Sequence, residues 1–375
     1  MSDMPRVCVL GGGNGAFATA SALAVKGFKV NLCEVPEWKA NVESVMAKGG
    51  IDLEVVIRIP GMQSGFAKLE KVGVDPEEAL SDADVVFLVV PAFAQRRFAE
   101  FAAPFLRSGQ VVALTPGNLG GSMEWAAVLK EKGVKERPML VDVESMIYSG
   151  FKNGPTSVQV SGFKRNINCA AFPATKTGQA LQVIHRVYPN LGPGENVLTI
   201  GLSKAGTVMH PTITLLNAGW IEKTQGNFQF YWDGLTSAVG NVMERLESER
   251  LALGKALGLN LISTRDSLLG YYADQGARGD TLTEVAATNP VYGIDRAPKN
   301  MRHRFLLEDI PYGLVPIEEL ARLGGVATPM CSALVELAST MLQTDFRQEG
   351  RGLKRLGLAG LTLTEIKRLV NEVGY

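Results

Sequence analysis

Histidine and cysteine are both scarce in this chain of 375 residues, with three and four copies. The cysteines stand far apart, at positions 8, 33, 169 and 331, and none forms a CxxC pair, so a metal knuckle is not expected. Cys8 and Cys33 fall inside apolar, strand-like runs, where cysteine acts as a small hydrophobe. Buried free thiols in a reducing compartment are the natural reading. Net charge is missing too: 38 Lys and Arg balance 38 Asp and Glu. No long basic run occurs, so nothing favours electrostatic binding to nucleic acid. Long hydrophobic runs are also absent. The longest, residues 85–94, is too short to span a bilayer and contains Pro91. The first residues show no signal-peptide pattern and enter a strand almost at once. A cytoplasmic protein without membrane, metal or nucleic-acid partners is the expectation.

What is present fits a large two-domain globular protein, with 46% apolar and 20% charged residues. The first third alternates short apolar strand runs (6–10, 28–34, 84–90, 110–115, 139–142) with helical stretches at 15–26 and 37–48. Runs apolar on both faces, spaced by helices, argue an α/β, doubly wound parallel sheet. Residues 157–161 and 167–171 read as extra strands. Beyond about residue 200 the strand signals stop. Leu235, Val239, Val242, Leu246 and Leu253 recur at helical spacing. Residues 328–342 and 362–373 read as helices as well. The turn-rich Gly192-Pro193-Gly194 suggests the boundary. The expected domains are residues 1–194, dinucleotide-binding, and 195–375, all-helical.

Gly11, Gly13, Asn14, Gly15 and Ala16 lie in a G-x-G-x-x-A turn directly after the first strand. The first glycine permits the tight turn, the second lets backbone approach a pyrophosphate, and Ala16 allows close helix–strand packing. The amides at the helix start then bind phosphate. Glu34 ends the second strand 23 positions after Gly11. A carboxylate there accepts from ribose hydroxyls and repels a 2′-phosphate. Only Lys39 offers a nearby cation, so NAD is favoured over NADP. Pro91 and Ala92 follow a central strand and form a second candidate contact. Pro116-Gly117-Asn118 follows the next strand in the same way. Strand-terminating turn chemistry explains these prolines and glycines equally well.

His210 sits in an apolar stretch and is followed by Pro211, which should start or kink a helix there. Its imidazole can move a proton near neutral pH. A buried structural histidine is an equal reading from the residues alone. His303, in Arg302-His303-Arg304, looks solvated, and His185 lies on a polar helix end.

Several stretches carry a resemblance. They are Val9–Gly15, Val89-Val-Pro-Ala92, Val208-Met-His-Pro211 with Leu215-Leu-Asn-Ala218, and Phe230-Tyr231. Arg304 to Asp309 leading into Gly313-Leu-Val-Pro316, and Thr344-Asp-Phe-Arg347 with Gly350-Arg351, complete the set. In order and nearly end to end, they resemble the opine dehydrogenase family of octopine/nopaline type. The resemblance implies a Rossmann domain joined to a helical domain. It also implies NADH-dependent condensation of an amino acid with an α-keto acid through an imine. It makes His210 the acid/base, Asp309 its partner and Arg304 the holder of a substrate carboxylate. Five residues on a helix separate Arg304 from Asp309 in direction, so the segment must bend. A surface pair of Arg304 with Glu308 is the plain alternative. Relatives carry an acid for the substrate amino group near Asp142 to Tyr148, where Asp142 and Glu144 compete; Glu144 is the candidate. Trp220, Phe230, Tyr231 and Trp232 could line the pocket, although a core role suits any one of them better.

Two rival readings remain. Ketopantoate reductases and glycerol-3-phosphate dehydrogenases share the two-domain plan with a catalytic lysine, and Lys204 lies near that position. A solvated helix-start lysine is the plainer reading of it. The other rival is an NAD-binding protein without turnover. A helical second domain often supplies a dimer face, so a homodimer is expected by analogy alone.

Overall fold

The computed structural model describes residues 4–57, 59 and 61–374. Residues 1–3, at the head of the stretch read as lacking a signal pattern, lie outside it. The chain divides into two units: residues 1–117, 121–197 and 370–375, and residues 118–120 with 198–369.

The first unit is α/β. Its strands are β1 (Val7–Leu10), β2 (Val30–Cys33), β3 (Gly50–Val55), β4 (Gly65–Lys68), β5 (Lys71–Gly73), β6 (Val85–Leu88), β7 (Val111–Leu114), β8 (Met139–Val143), β9 (Tyr148–Gly154), β10 (Ser157–Phe163), β11 (Asn168–Phe172) and β12 (Gly192–Pro193). Eight of them form one sheet in the order β12-β11-β8-β7-β6-β1-β2-β5, with only the β8–β11 pairing antiparallel. β1, β2, β6 and β7 are buried along their whole length, as strands covered on both faces must be. Sequence neighbours part at β1, which lies between β2 and β6. This is the switch point where doubly wound sheets bind ligands. The Rossmann-type reading of this half therefore holds.

A second sheet, β4-β3-β10-β9, packs on α1 (Asn14–Val25) through residues such as Ile51, Leu53, Val158 and Val160. Sequence reading missed β3, β4, β5, β9 and the two-residue β12. The helix expected over 37–48 is two pieces, a 3-10 segment Pro36–Asn41 and an α-helix Glu43–Lys48. Trp38 leaves helical geometry inside the first piece, and the β-branched Val42 does so between the two.

The second unit is helical, with one isolated bridge between Gln229 and Arg296. Its longest helix, Ser237–Ala256, buries Val239, Leu246 and Leu253 of the predicted apolar stripe and adds Met243, while Val242 is only partly buried and Leu235 precedes the helix. On the same helix Arg250 is buried with Glu247, which also accepts from the backbone and hydroxyl of Thr264. The helix Ala205–Leu216 contains Pro211. It therefore begins six residues before the proline, contrary to a start at that point. The proline only removes the bond that would reach back to Thr207. Among the described residues no helix is long and apolar enough to cross a membrane, and no three of His, Cys, Asp and Glu converge as ligands for a metal ion.

Candidate active site

At the first unit's switch point, Gly11 closes β1 with φ +123°, and a side chain there would strike the Val89 carbonyl at 2.7 Å. Only glycine fits both demands. Gly13, just before α1, brings no side chain to cap the helix, and a Cβ on it would meet nothing within 4 Å. The α1 amides at Asn14, Gly15 and Ala16 thus face an approachable turn, which suits phosphate. Pro91 precedes the helix Ala92–Ala102 three residues after β6, and the intervening Val89 and Val90 lie against Gly11.

Glu34 follows β2 and is buried. Its Oε1 accepts from Val35 N at 2.9 Å and its Oε2 from Asn41 Nδ2 at 3.1 Å. Burial pushes its carboxyl up, and the Asn41 and backbone bonds work against that. The structure adds Lys152, on β9, which the sequence did not disclose. Its Nζ donates to Gly12 O (3.3 Å) and Asn41 O (3.1 Å) and lies 3.8 Å from the Phe17 ring centroid. The two competing acids also separate. Asp142 accepts from the Ser122 amide and hydroxyl at the start of the helix Gly121–Glu131. Glu144 accepts from Asn168 N at 3.1 Å.

In the helical unit, His210 folds back over Gly206, one turn earlier on its helix. A Cβ on Gly206 would stand 2.8 Å from the ring. The helix Arg304–Leu307 ends, and a π-turn, Ile310–Leu314, follows. That is the required bend, and it sends Asp309 inward while Arg304 stays 45% exposed. His210 Nδ1 lies 2.7 Å from Asp309 Oδ2, and Lys204 Nζ lies 2.8 Å from Asp309 Oδ1. The other ring nitrogen, Nε2, lies 2.9 Å from the Tyr231 hydroxyl. Phe305 stacks on the imidazole at 4.1 Å. Lys204 also reaches Glu308 Oε1 at 3.3 Å and bonds Asn118 Oδ1.

Electrostatics follow from this geometry. Burial resists charge on Asp309, but Lys204 and His210 outweigh it and hold the carboxyl well below its usual range. Burial lowers His210 from its ordinary value, Asp309 opposes this, and Arg304 and Lys204 add to it. Burial also disfavours the Lys204 ammonium, yet Asp309 and Glu308 hold it above its ordinary value. Arg304 meets Glu308 only at 4.0 Å, so no two-pronged pair forms.

Three expectations are corrected here. Lys204 is not solvated; it is 13% exposed and ion-paired. His303 is half-buried rather than solvated, and burial first, then the Arg304 and His210 charges, lower it to about 4. Of the four aromatic candidates, Trp220 and Trp232 are exposed, Phe230 is core, and Tyr231 bonds the histidine itself.

A phosphate-ready turn on a parallel sheet, and a helical unit that commits one imidazole nitrogen to a buried carboxylate, define a two-domain dehydrogenase of the nicotinamide class. Residues 193–342 match the family model for the NAD/NADP octopine/nopaline dehydrogenase α-helical domain. An opine dehydrogenase of Arthrobacter sp. (strain 1C) is 36% identical over 99% of this chain and all of that protein. A solved octopine dehydrogenase with NADH and L-arginine has a TM-score of 0.77 at 22% identity, covering 98% of each chain. A ketopantoate reductase from Ralstonia eutropha JMP134 shares the fold at TM-score 0.60 and 19% identity, over 90% of this chain and 98% of that one. The chain belongs to the opine dehydrogenase family.

Proposed function

We propose that this protein condenses an L-amino acid, or another amine, with an α-keto acid such as pyruvate and reduces the resulting imine with NADH. The observation that carries the reading is the His210–Asp309 pair at 2.7 Å beside a loosely engaged Arg304. NADH, when bound, supplies the two electrons and the hydrogen that reach the imine carbon. Gly11, Gly13, Asn14, Gly15 and Ala16 hold its phosphates, Glu34 its adenosine ribose, and Pro91 and Ala92 border it. Glu34 is a carboxylate where a 2′-phosphate would lie, which supports NAD over NADP.

Arg304 grips the keto-acid carboxylate with two parallel hydrogen bonds. His210 takes at Nε2 the proton that the amine releases as it adds to the carbonyl and returns it to the carbinolamine hydroxyl, which departs as water; in the reverse direction the same steps run backwards. Asp309 keeps Nδ1 as the donor nitrogen and stabilises the imidazolium. Glu144 is assigned to the substrate amino group; both acids are bonded, Asp142 to the helix start at Ser122 and Glu144 to the strand amide of Asn168. Residues 1–194 serve as the dinucleotide domain and 195–375 as the substrate domain. The buried thiols and the helical second half support a cytoplasmic homodimer.

Lys204 as the acid fits less well. Two carboxylates hold its proton more tightly than usual, whereas His210 is poised to release one. The test is NADH oxidation, followed by near-UV absorbance, with pyruvate and with or without a panel of L-amino acids, repeated with NADPH. Oxidation that needs both substrates is expected. Oxidation with keto acid alone would make it a hydroxy-acid dehydrogenase, and binding without oxidation a non-catalytic NAD protein.

A further inference from the structure

We propose that Tyr231 is a positioning residue of the acid/base. Its hydroxyl seats His210 Nε2 in the resting enzyme and yields that nitrogen to the substrate. The inference rests on the role given to His210 above.

Asp309 is ionised and can only accept, so the proton on Nδ1 points to it. Nε2 then carries the lone pair, and the Tyr231 hydroxyl at 2.9 Å must donate to it. The imidazole is thereby gripped at both nitrogens, while Phe305 covers one face at 4.1 Å. Tyr231 is itself fixed. It is buried, and its ring stacks on Tyr292 at 4.2 Å with 20° between planes.

The chemistry of a phenol suits this place. Burial, then the Asp295 charge, keeps the Tyr231 hydroxyl protonated far above neutral pH. A phenol donates and accepts with one oxygen. It donates to Nε2 of the neutral ring. When the ring gains a second proton, the same oxygen accepts from Nε2–H after a rotation about its own C–O bond. Neither ring has to move between those two resting forms; the tyrosine shifts aside only when a substrate atom takes its place at Nε2. A carboxylate in this position would favour the charged ring alone, and an ammonium the neutral ring alone. Tyr231 serves both states that a proton-transfer cycle visits. A substrate oxygen or nitrogen needs only to take the place of one hydroxyl.

The protein has three histidines, so histidine labelled with ¹⁵N gives a spectrum that His210→Gln assigns. In the wild type, His210 should show a protonated Nδ1 and an unprotonated Nε2 whose resonance carries the shift of an accepted hydrogen bond. Tyr231→Phe should keep the proton on Nδ1 and lose that shift, with kcat lower by about tenfold or less and NADH affinity unchanged, as for one hydrogen bond. Tyr292→Phe should leave the His210 resonances in place, because its hydroxyl is not bonded to the ring. A wild-type His210 protonated at Nε2 instead of Nδ1 would overturn the proposal without any variant. So would an Nε2 resonance identical in wild type and Tyr231→Phe. If the resonances behave as expected and no substrate pair turns over, the seating stands and the catalytic reading falls.

Discussion

A histidine works as an acid/base when one nitrogen is committed and the other can exchange. His210 meets the first condition through Asp309 at 2.7 Å. His210→Ala should lower turnover by roughly 10²–10⁴, the usual worth of a general acid/base. A normal rate would remove it from the mechanism. Gly206 tests the seating of the ring. A Cβ there would stand 2.8 Å from the imidazole. The ring is held by Asp309, Tyr231 and Phe305 and cannot swing aside cheaply. Gly206→Ala should therefore cost about 1–3 kcal/mol of stability, as overpacking does, and lower kcat at least tenfold; a wild-type melting temperature and rate would show that the ring is not held. Arg304→Lys tests the fork. A point charge cannot make two parallel bonds, so KM for the keto acid should rise while NADH affinity holds. A uniform loss of both would count against the assignment.

The elements that bring these residues together meet through glycine as well. The π-turn Ile310–Leu314 approaches the helix Ala205–Leu216 so closely that a Cβ on Gly313 would lie 2.6 Å from the Thr207 side chain. Gly313→Ala should force the two apart, cost about 1–3 kcal/mol as overpacking does, and lengthen the Asp309–His210 bond. Lower stability together with weaker turnover is expected, and wild-type values for both would contradict it. This contact also marks the limit of what the sequence disclosed. The Gly-rich turn, Glu34 and the buried strands were legible because they depend on local patterns: a turn that needs glycine, runs apolar on both faces, a fixed spacing. β3, β4 and β5 were not: Gly50, Asp52, Glu54, Gly65, Lys68 and Lys71 break their apolar runs, the β3–β4 pair is completed by the distant β10, which joins β3, and β5 is a three-residue edge strand beside β2. Lys204, Lys152 and Tyr231 each looked solvated, unremarkable or core. Their partners stand 105, 140 and 21 positions away, at Asp309, Gly12 and His210. Resemblance supplied His210, Asp309 and Arg304 as a set; no periodicity joins them.

At the scale of the molecule, equal numbers of charges conceal an uneven response to acid. His303 has a folded value of about 4 and an ordinary value of 6.5. Between these, the unfolded chain binds a proton that the folded chain refuses, so stability falls as pH drops through that window and levels off below it. His210, also lowered, acts with the same sign. Asp309, held below its ordinary 3.8, extends the loss to lower pH, because its stabilising charge disappears as it is protonated. All three lie in the helical unit. In the α/β unit Glu34 is raised, so its contribution has the opposite sign and is lost as pH rises past its ordinary 4.5. The helical unit should therefore be the acid-sensitive half. His303 Nδ1 accepts from Phe305 N at the start of a helix, a task asparagine can share. His303→Asn should narrow the fall in thermal midpoint between pH 7 and pH 4.5 while leaving the pH 7 midpoint nearly unchanged. An equal fall in variant and wild type would place the acid sensitivity elsewhere in the chain.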